Sequence, residues 1–295
     1  MLSGKYAELE KEAATPTFAD AESCGISPEN ALFAMFGLED WRKDPEFNQV
    51  FKALDGWDAT FPKSPYSRLA RATTLIDYAW VARGAGVAGT VNKDGWKLFG
   101  DRLVESLKKE EEAMKLGGDK HGVYWRNLLF LARGLQAPPA KTKEMVNDAL
   151  KRFPEYPGIY YAYCIAILPR WGGAEGEWQA WLNAQNKEAR WGGKEMDPKL
   201  YAQILWQVFT YIRDTDGPFF GDKHLSWEKA KLGLDQLCEK YPKSTHWNTV
   251  RACLASVAGD RKSANAAFDS LNGKFDGSVI DPPTFEAFLK WAGRK

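Results

Sequence analysis

Glu105 and Ser106, adjacent in the segment LVESLKK (103–109), are the residues of this 295-residue chain most readily assigned a reaction. Some α-superhelical enzymes cleave bacterial cell-wall glycan with a Glu-Ser pair, and a carboxyl used this way works as a proton donor or acceptor at the glycosidic oxygen. The same segment runs on into Glu110, Glu111 and Glu112, and a charge-rich amphipathic tract of this kind is expected to be a solvated helix face. Nothing downstream resembles the aromatic-lined lobe that glycan cleavage would need. Histidine is scarce, with His121, His224 and His246 only. No two are spaced i, i+4, and there is no HExxH or Cys/His cluster, so no metal is expected. No GxSxG elbow, P-loop or strand-borne GxGxxG is present, although a Ser-His-Asp or Cys-His set assembled by the fold stays open. Cys24, Cys164, Cys238 and Cys253 show no CxxC spacing. The last three fall on or beside apolar helix positions and are expected to be buried free thiols, as suits a reducing compartment. No catalytic residue and no cofactor is assigned.

A second group of residues suits binding. RWGG occurs twice, at 170–173 and 190–193. Paired glycines after a helix supply a left-handed C′ residue, and an arginine there complements the helix dipole, so both copies can be helix stops carrying packed tryptophans. Alternatively Arg170, Trp171, Trp178, Trp181, Arg190 and Trp191 form an aromatic–basic surface of the kind that dominates interface hot spots. Phe219 and Phe220, in DGPFFGDKHLSW (216–227), are explained by no helical period. They either plug the core or offer an apolar contact to a partner.

Bulk composition narrows the partner. Forty basic residues face thirty-nine acidic ones, a net charge of +1, which supplies no global field for nucleic acid. No apolar run approaches the roughly 18 residues of a membrane span. The start MLSGKYAELEKEAA lacks the basic-then-apolar pattern of a signal peptide, and a cytoplasmic location is the default expectation. Thirteen tryptophans among forty aromatics suit helix packing and binding surfaces alike.

The elements that must position these residues are helices. Trp227, Ala230, Leu234, Leu237 and Tyr241 step by three and four, as do Trp247, Val250, Leu254 and Val257. Further stripes run through Leu69, Ala72, Ile76 and Ala79, through Trp96, Phe99, Leu103 and Leu107, and through Trp125, Leu128, Ala132 and Leu135. Two more lie at 160–168 and 201–212. Sustained period-two alternation is absent. An aromatic-Pro pair precedes a helix at FPKSPYSRLA (61–70), FPEYPGIYYA (153–162) and YPKSTHWNTV (241–250), at intervals of 92 and 88 residues. Proline ends one helix and sets the entry of the next, and Ser244 is placed to cap. The fold expected is all-α, a right-handed solenoid of stacked αα-hairpins. It is read as one continuous domain: an N-terminal cap (1–60), degenerate repeats (61–272) and a capping helix (273–295). The segments 84–95 and 214–225 are its weakest joints.

Residues 244–272 place aromatics early in one helix, a Gly-Asp turn at 259–260, and Ala264, Ala266 and Ala267 in the next, which resembles a tetratricopeptide repeat. FPKSPYSRLARATTLIDYAWVARG (61–84), GWKLFGDRL (95–103) and ILPRWGGAEGEWQAW (167–181) together resemble a family of bacterial tetratricopeptide-like helical proteins with no established activity. The resemblance spans roughly residues 40–270. It implies an all-helical repeat fold and transfers no catalytic residue. By analogy with helical-repeat adaptors, secretion chaperones and immunity proteins, the expectation is a non-catalytic module. It would bind another protein, in its concrete form a bacterial toxin or effector that the chain blocks or escorts. A glycan-cleaving enzyme and a nucleic-acid-binding repeat are the alternatives.

Overall fold

The computed structural model describes residues 4–15, 28–36, 44–84, 86–212, 219–220 and 224–294. Cys24 and the loop positions 85, 214–218 and 221–223 lie outside the described residues. Among those described are fourteen α-helices, four single-turn 3-10 segments and no strand. The chain divides into two compact units, and the described part of the chain passes from one to the other between Ala166 and Ile167. The sequence-based limits at residues 60 and 272 fall inside the first and second unit respectively, and neither expected weak joint is the point of division.

The first unit holds α1 (Tyr6–Ala14), α2 (Pro28–Ala34), α3 (Asp44–Thr60), α4 (Pro65–Arg83), α5 (Lys93–Lys115), α6 (Gly122–Gly134), α7 (Pro139–Arg152) and α8 (Pro157–Ala166). FPKSP acts as a start signal: Ser64 Oγ accepts from the Tyr66 N–H, Pro65 opens α4, and Gly84 closes it at φ 73°. α4 and α5 run antiparallel, because Ser106 bonds the Ala72 carbonyl at 2.9 Å while Arg102 bonds the Tyr78 carbonyl at 2.6 Å. α6 runs parallel to α4, since Asn127 meets Thr73 at 3.0 Å and Arg133 lies 4.4 Å over the Trp80 ring. Around these helices Trp57, Leu54, Leu69 and Leu103 are fully enclosed. Each such side chain contributes about 1.5–3 kcal/mol through lost water contact.

On α5 and α6 the buried face extends beyond the apolar stripes read from the sequence: Phe99, Leu103 and Ala132 of those stripes are buried and Leu107, Trp125 and Leu128 pack against the core, but polar residues share the interior. On α5 the interior positions are Phe99, Leu103, Ser106, Glu110 and Ala113, a run of steps of four and three, whereas Trp96 is 38% exposed. On α6 Arg126 and Asn127 are buried and Leu135 is exposed. Polar residues thus occupy the inner face on both sides of one helix contact.

The second unit holds α9 (Glu177–Gln185), α10 (Pro198–Ile212), α11 (Trp227–Lys240), α12 (Thr245–Val257), α13 (Arg261–Leu271) and α14 (Pro282–Trp291). Its core gathers Trp247, Leu234, Leu237, Val250, Leu254 and Phe268. α10 and α11 touch backbone to side at Gly233, where a Cβ would collide with the Pro198 carbonyl. Ser244 caps α12 by accepting from the Trp247 N–H. The hairpin turn after α12 uses Gly259 at φ 75° and then Asp260, whose carboxylate accepts from the Ser263 N–H at 3.0 Å, the Ser263 hydroxyl at 2.7 Å and the Trp227 indole at 3.1 Å. These bonds, the Ser263 N–H foremost, hold the Asp260 carboxyl well below the usual carboxylate range despite its partial burial.

Gly233→Ala should cost about 1–3 kcal/mol by wedging α11 off α10, measured by denaturant unfolding. Asp260→Ala should cost about 1–2 kcal/mol at neutral pH. A carboxyl whose folded pKa is depressed stabilises above its unfolded pKa and loses that contribution as pH falls through the folded value. The gap between Asp260→Ala and the parent should therefore narrow in acid unfolding experiments.

Candidate functional site

The eight residues assigned to a partner surface all lie in the second unit, where they differ in burial. Trp178 is only 2% exposed, held on the inner face of α9 with Leu182, and its ring lies 6.0 Å from Phe219. Phe219 is itself buried, 5.2 Å from Phe209 on α10 and 5.0 Å from Phe220, which stands 5.3 Å from Trp227 on α11. These three aromatics join α9, α10 and α11 through ring contacts, so Phe219 plugs the core, and Trp178 and Phe219 are both buried.

Each RWGG forms a single 3-10 turn, at Pro169–Trp171 and Ala189–Trp191, closed by left-handed Gly172 and Gly192. The glycines therefore do stop a helix, but a 3-10 turn rather than an α-helix. Gly173 is also required on packing grounds, because a Cβ there would strike the Ile167 carbonyl. Trp191 is half-buried and donates its indole N–H to the Gln185 carbonyl at 2.7 Å, while Arg190 sits 3.8 Å from Glu188. Arg170 is exposed and lies 4.8 Å over the Tyr211 ring; Trp171 and Trp181 are partly exposed.

The aromatic–basic surface that the sequence led us to seek in the second unit exists more fully in the first. Arg133 lies 4.4 Å over Trp80 and 5.5 Å from Phe130, and Arg83 lies 5.6 Å from both Trp80 and Trp96. The result is an alternation, Phe130–Arg133–Trp80–Arg83–Trp96, crossing the C-terminal ends of α6 and α4 and the N-terminal end of α5. Guanidinium groups stack face-on over such rings, and each contact within about 6 Å is worth about 0.5–1 kcal/mol where solvent reaches it. Arg83 also donates to the Gly84 and Gly86 carbonyls, at 3.0 and 2.9 Å, which ties the loop after α4 to the stack. Trp96 in the stack, and Val87 and Leu135 next to it in the chain, are among the eight large apolar residues that are exposed among those described. A sequence signal for the cluster did exist. WVARG (80–84) and FLARG (130–134) repeat an aromatic, an alanine, an arginine and a glycine at the ends of the two parallel helices.

Reacting groups are placed less favourably. Glu105 is half-exposed and its nearest cation is Lys108 at 3.9 Å, while Ser106 is turned inward onto the Ala72 carbonyl. The pair therefore points in two directions. Glu110, read from sequence with Glu111 and Glu112 as a solvated face, is fully buried. Its Oε1 accepts from Asn127 at 2.8 Å and its Oε2 has no hydrogen-bond partner. Burial pushes this carboxyl well above the usual carboxylate range, against the Asn127 bond and the Arg126 charge. Cys164 and Cys238 are buried free thiols and Cys253 is buried too, as the sequence suggested. Burial pushes the Cys238 thiol to about 11, which leaves it protonated at the edge of an open groove of about 340 Å3 lined also by Asp235, Glu239 and Arg251. Arg251 and Asp235 pair across that groove at 2.9 Å. His121 meets Glu29 at 3.3 Å and His246 meets Asp276 at 3.0 Å, both bridging separate segments. Among the described residues no group of three His, Cys, Asp or Glu side chains could hold a metal ion, and no helix is long and apolar enough to cross a membrane.

No protein-family model matches this chain, nor does any curated protein or solved structure.

Because Phe219 is a core plug, Phe219→Ala should cost about 3–5 kcal/mol in chemical denaturation. Trp171→Ala, at a partly exposed turn, should cost clearly less.

Proposed function

We propose that the chain is a non-catalytic protein-binding module made of stacked αα-hairpins, a tetratricopeptide-like right-handed α-solenoid in the arrangement of its helices. The arginine–aromatic end of the first unit is the surface on which the partner docks. The observation that carries this reading is the Phe130–Arg133–Trp80–Arg83–Trp96 stack, with exposed Leu135 and Val87 next to it in the chain. Trp and Arg together supply large apolar area and fixed positive charge, the composition found at interface hot spots. The parallel course of α4 and α6 supports the hairpin stacking, since helices one hairpin apart run the same way in such repeats. By charge complementarity the partner is a protein surface presenting carboxylates beside apolar side chains. By analogy with helical-repeat immunity proteins and adaptors in general, a bacterial toxin or effector, blocked or escorted, is the first candidate.

The test is co-purification from the native cell with the wild-type chain and with a Trp96→Ala, Leu135→Ala double variant. A stoichiometric protein should accompany the wild type and be lost, by tenfold or more in apparent affinity, from the variant, whose circular dichroism should be unchanged. Recovery of no stoichiometric protein, or equal recovery by the variant, would sink the reading.

A further inference from the structure

A carboxyl group sits at the centre of the first unit with no ion-pair partner. Glu110 on α5 has no measurable exposure and packs where α4 and α6 meet its helix. One oxygen takes the Asn127 amide at 2.8 Å; the other takes nothing. The Arg126 charge favours the ionised form, and its guanidinium donates to the Asn127 Oδ1 at 3.1 Å. α4 contributes the Thr73 hydroxyl, which accepts from Asn127 and donates to the Leu69 carbonyl. Tyr124 on α6 feels the Glu110 charge, and around Tyr124 in turn stand Asp119 in the turn 118–120, Glu111 on α5 and Arg152 on α7. Arg152 is engaged by Asp119 at 3.2 Å, and Tyr124 is pushed to about 12, chiefly by burial, so neither compensates a charge on Glu110.

We propose that Glu110 makes the α4–α5–α6 contact acid-stabilised: the unit folds around a protonated carboxyl and loosens as that proton is surrendered to solvent. A buried carboxylate with an empty acceptor site and no ion pair of its own loses more hydration than one amide bond and the Arg126 charge restore. The neutral acid loses far less and keeps the Asn127 bond. The direction of linkage follows. The folded state holds the proton to higher pH than the unfolded chain does, so stability is greatest below the ordinary glutamate pKa and falls as pH rises toward the raised folded value. This inference is independent of the proposed docking surface.

The test compares the full chain with Glu110→Gln, which keeps the shape and cannot ionise. Hydrogen–deuterium exchange is read on peptides covering α4, α5 and α6 from about pH 5 to about pH 8. The ratio of protection, variant over wild type, cancels the intrinsic exchange chemistry at each pH. It should rise with pH, by up to about tenfold per pH unit while one proton separates the two states. A ratio that is flat with pH would overturn the proposal. Infrared spectroscopy of the wild type at neutral pH supplies a second reading that needs no variant. A protonated-carboxyl carbonyl band from a buried acid should be present, and in glutamate-labelled protein its absence would overturn the proposal as well.

Discussion

Three helices meet over a seam that is polar where a core is ordinarily apolar, and the arrangement of the first unit depends on how that seam is satisfied. Thr73 from α4, Ser106 and Glu110 from α5, and Arg126 and Asn127 from α6 are all buried. Asn127 is the hinge of the arrangement, because its amide donates to Glu110 and Thr73 while its carbonyl accepts from Arg126. Hydrogen bonds of this kind are directional, so they fix the rotation of α5 and α6 about their axes in a way that apolar packing alone would leave loose. Whether buried polar groups confer such specificity differs between proteins. Here the geometry shows the consequence: the polar bonds share the inner face with Phe99, Leu103 and Ala132, so rotating either helix would break the seam and expose its apolar neighbours together.

That rotation accounts for the surface as well. With Glu110 and Ser106 inward, α5 carries Trp96 and Leu98 to the outside, and with Asn127 inward α6 leaves Leu135 exposed. The polar interior and the apolar, arginine-rich exterior at the end of the unit are two sides of one helix register. The stack of rings and guanidinium groups then covers part of the exposed apolar area, which lowers its cost in water while leaving an edge that a partner could extend.

Much of the fold was legible in the sequence because it is written in local signals. Ser64-Pro65, Ser244 and Gly259-Asp260 mark helix starts and a turn, and each does so through a bond between near neighbours. The apolar stripes of α11 and α12 face inward as their spacing indicates. Legibility failed where the deciding contact lies between helices. A run of glutamates looks solvated whether or not one member meets an asparagine seventeen residues later in the chain, yet extending the Phe99, Leu103 spacing by three, four and three would have landed on Ser106, Glu110 and Ala113. Trp178 and Phe219 were read from the sequence either as packed rings or as a partner surface, and the choice rests on ring contacts of Phe219 with α9 and α10 that no local signal announces. The arginine–aromatic end was obscured because its members come from three helices, although WVARG and FLARG repeat in plain view. The passage between units at Ala166 and Ile167 lies beside LPRWGG, a segment whose glycines were legible as a stop but whose role as a boundary was not.

The seam also sets a limit on chemical ageing. Deamidation turns asparagine into aspartate, a side chain of nearly the same shape, and on a protein surface the exchange is often silent. At position 127 it would replace the nitrogen that donates to Glu110 and Thr73 with an acceptor, setting oxygen against oxygen at two contacts of 2.8 and 3.0 Å. An old molecule damaged there would carry two acids face to face in its interior, and the least conspicuous of covalent changes would become one of the hardest for this fold to absorb.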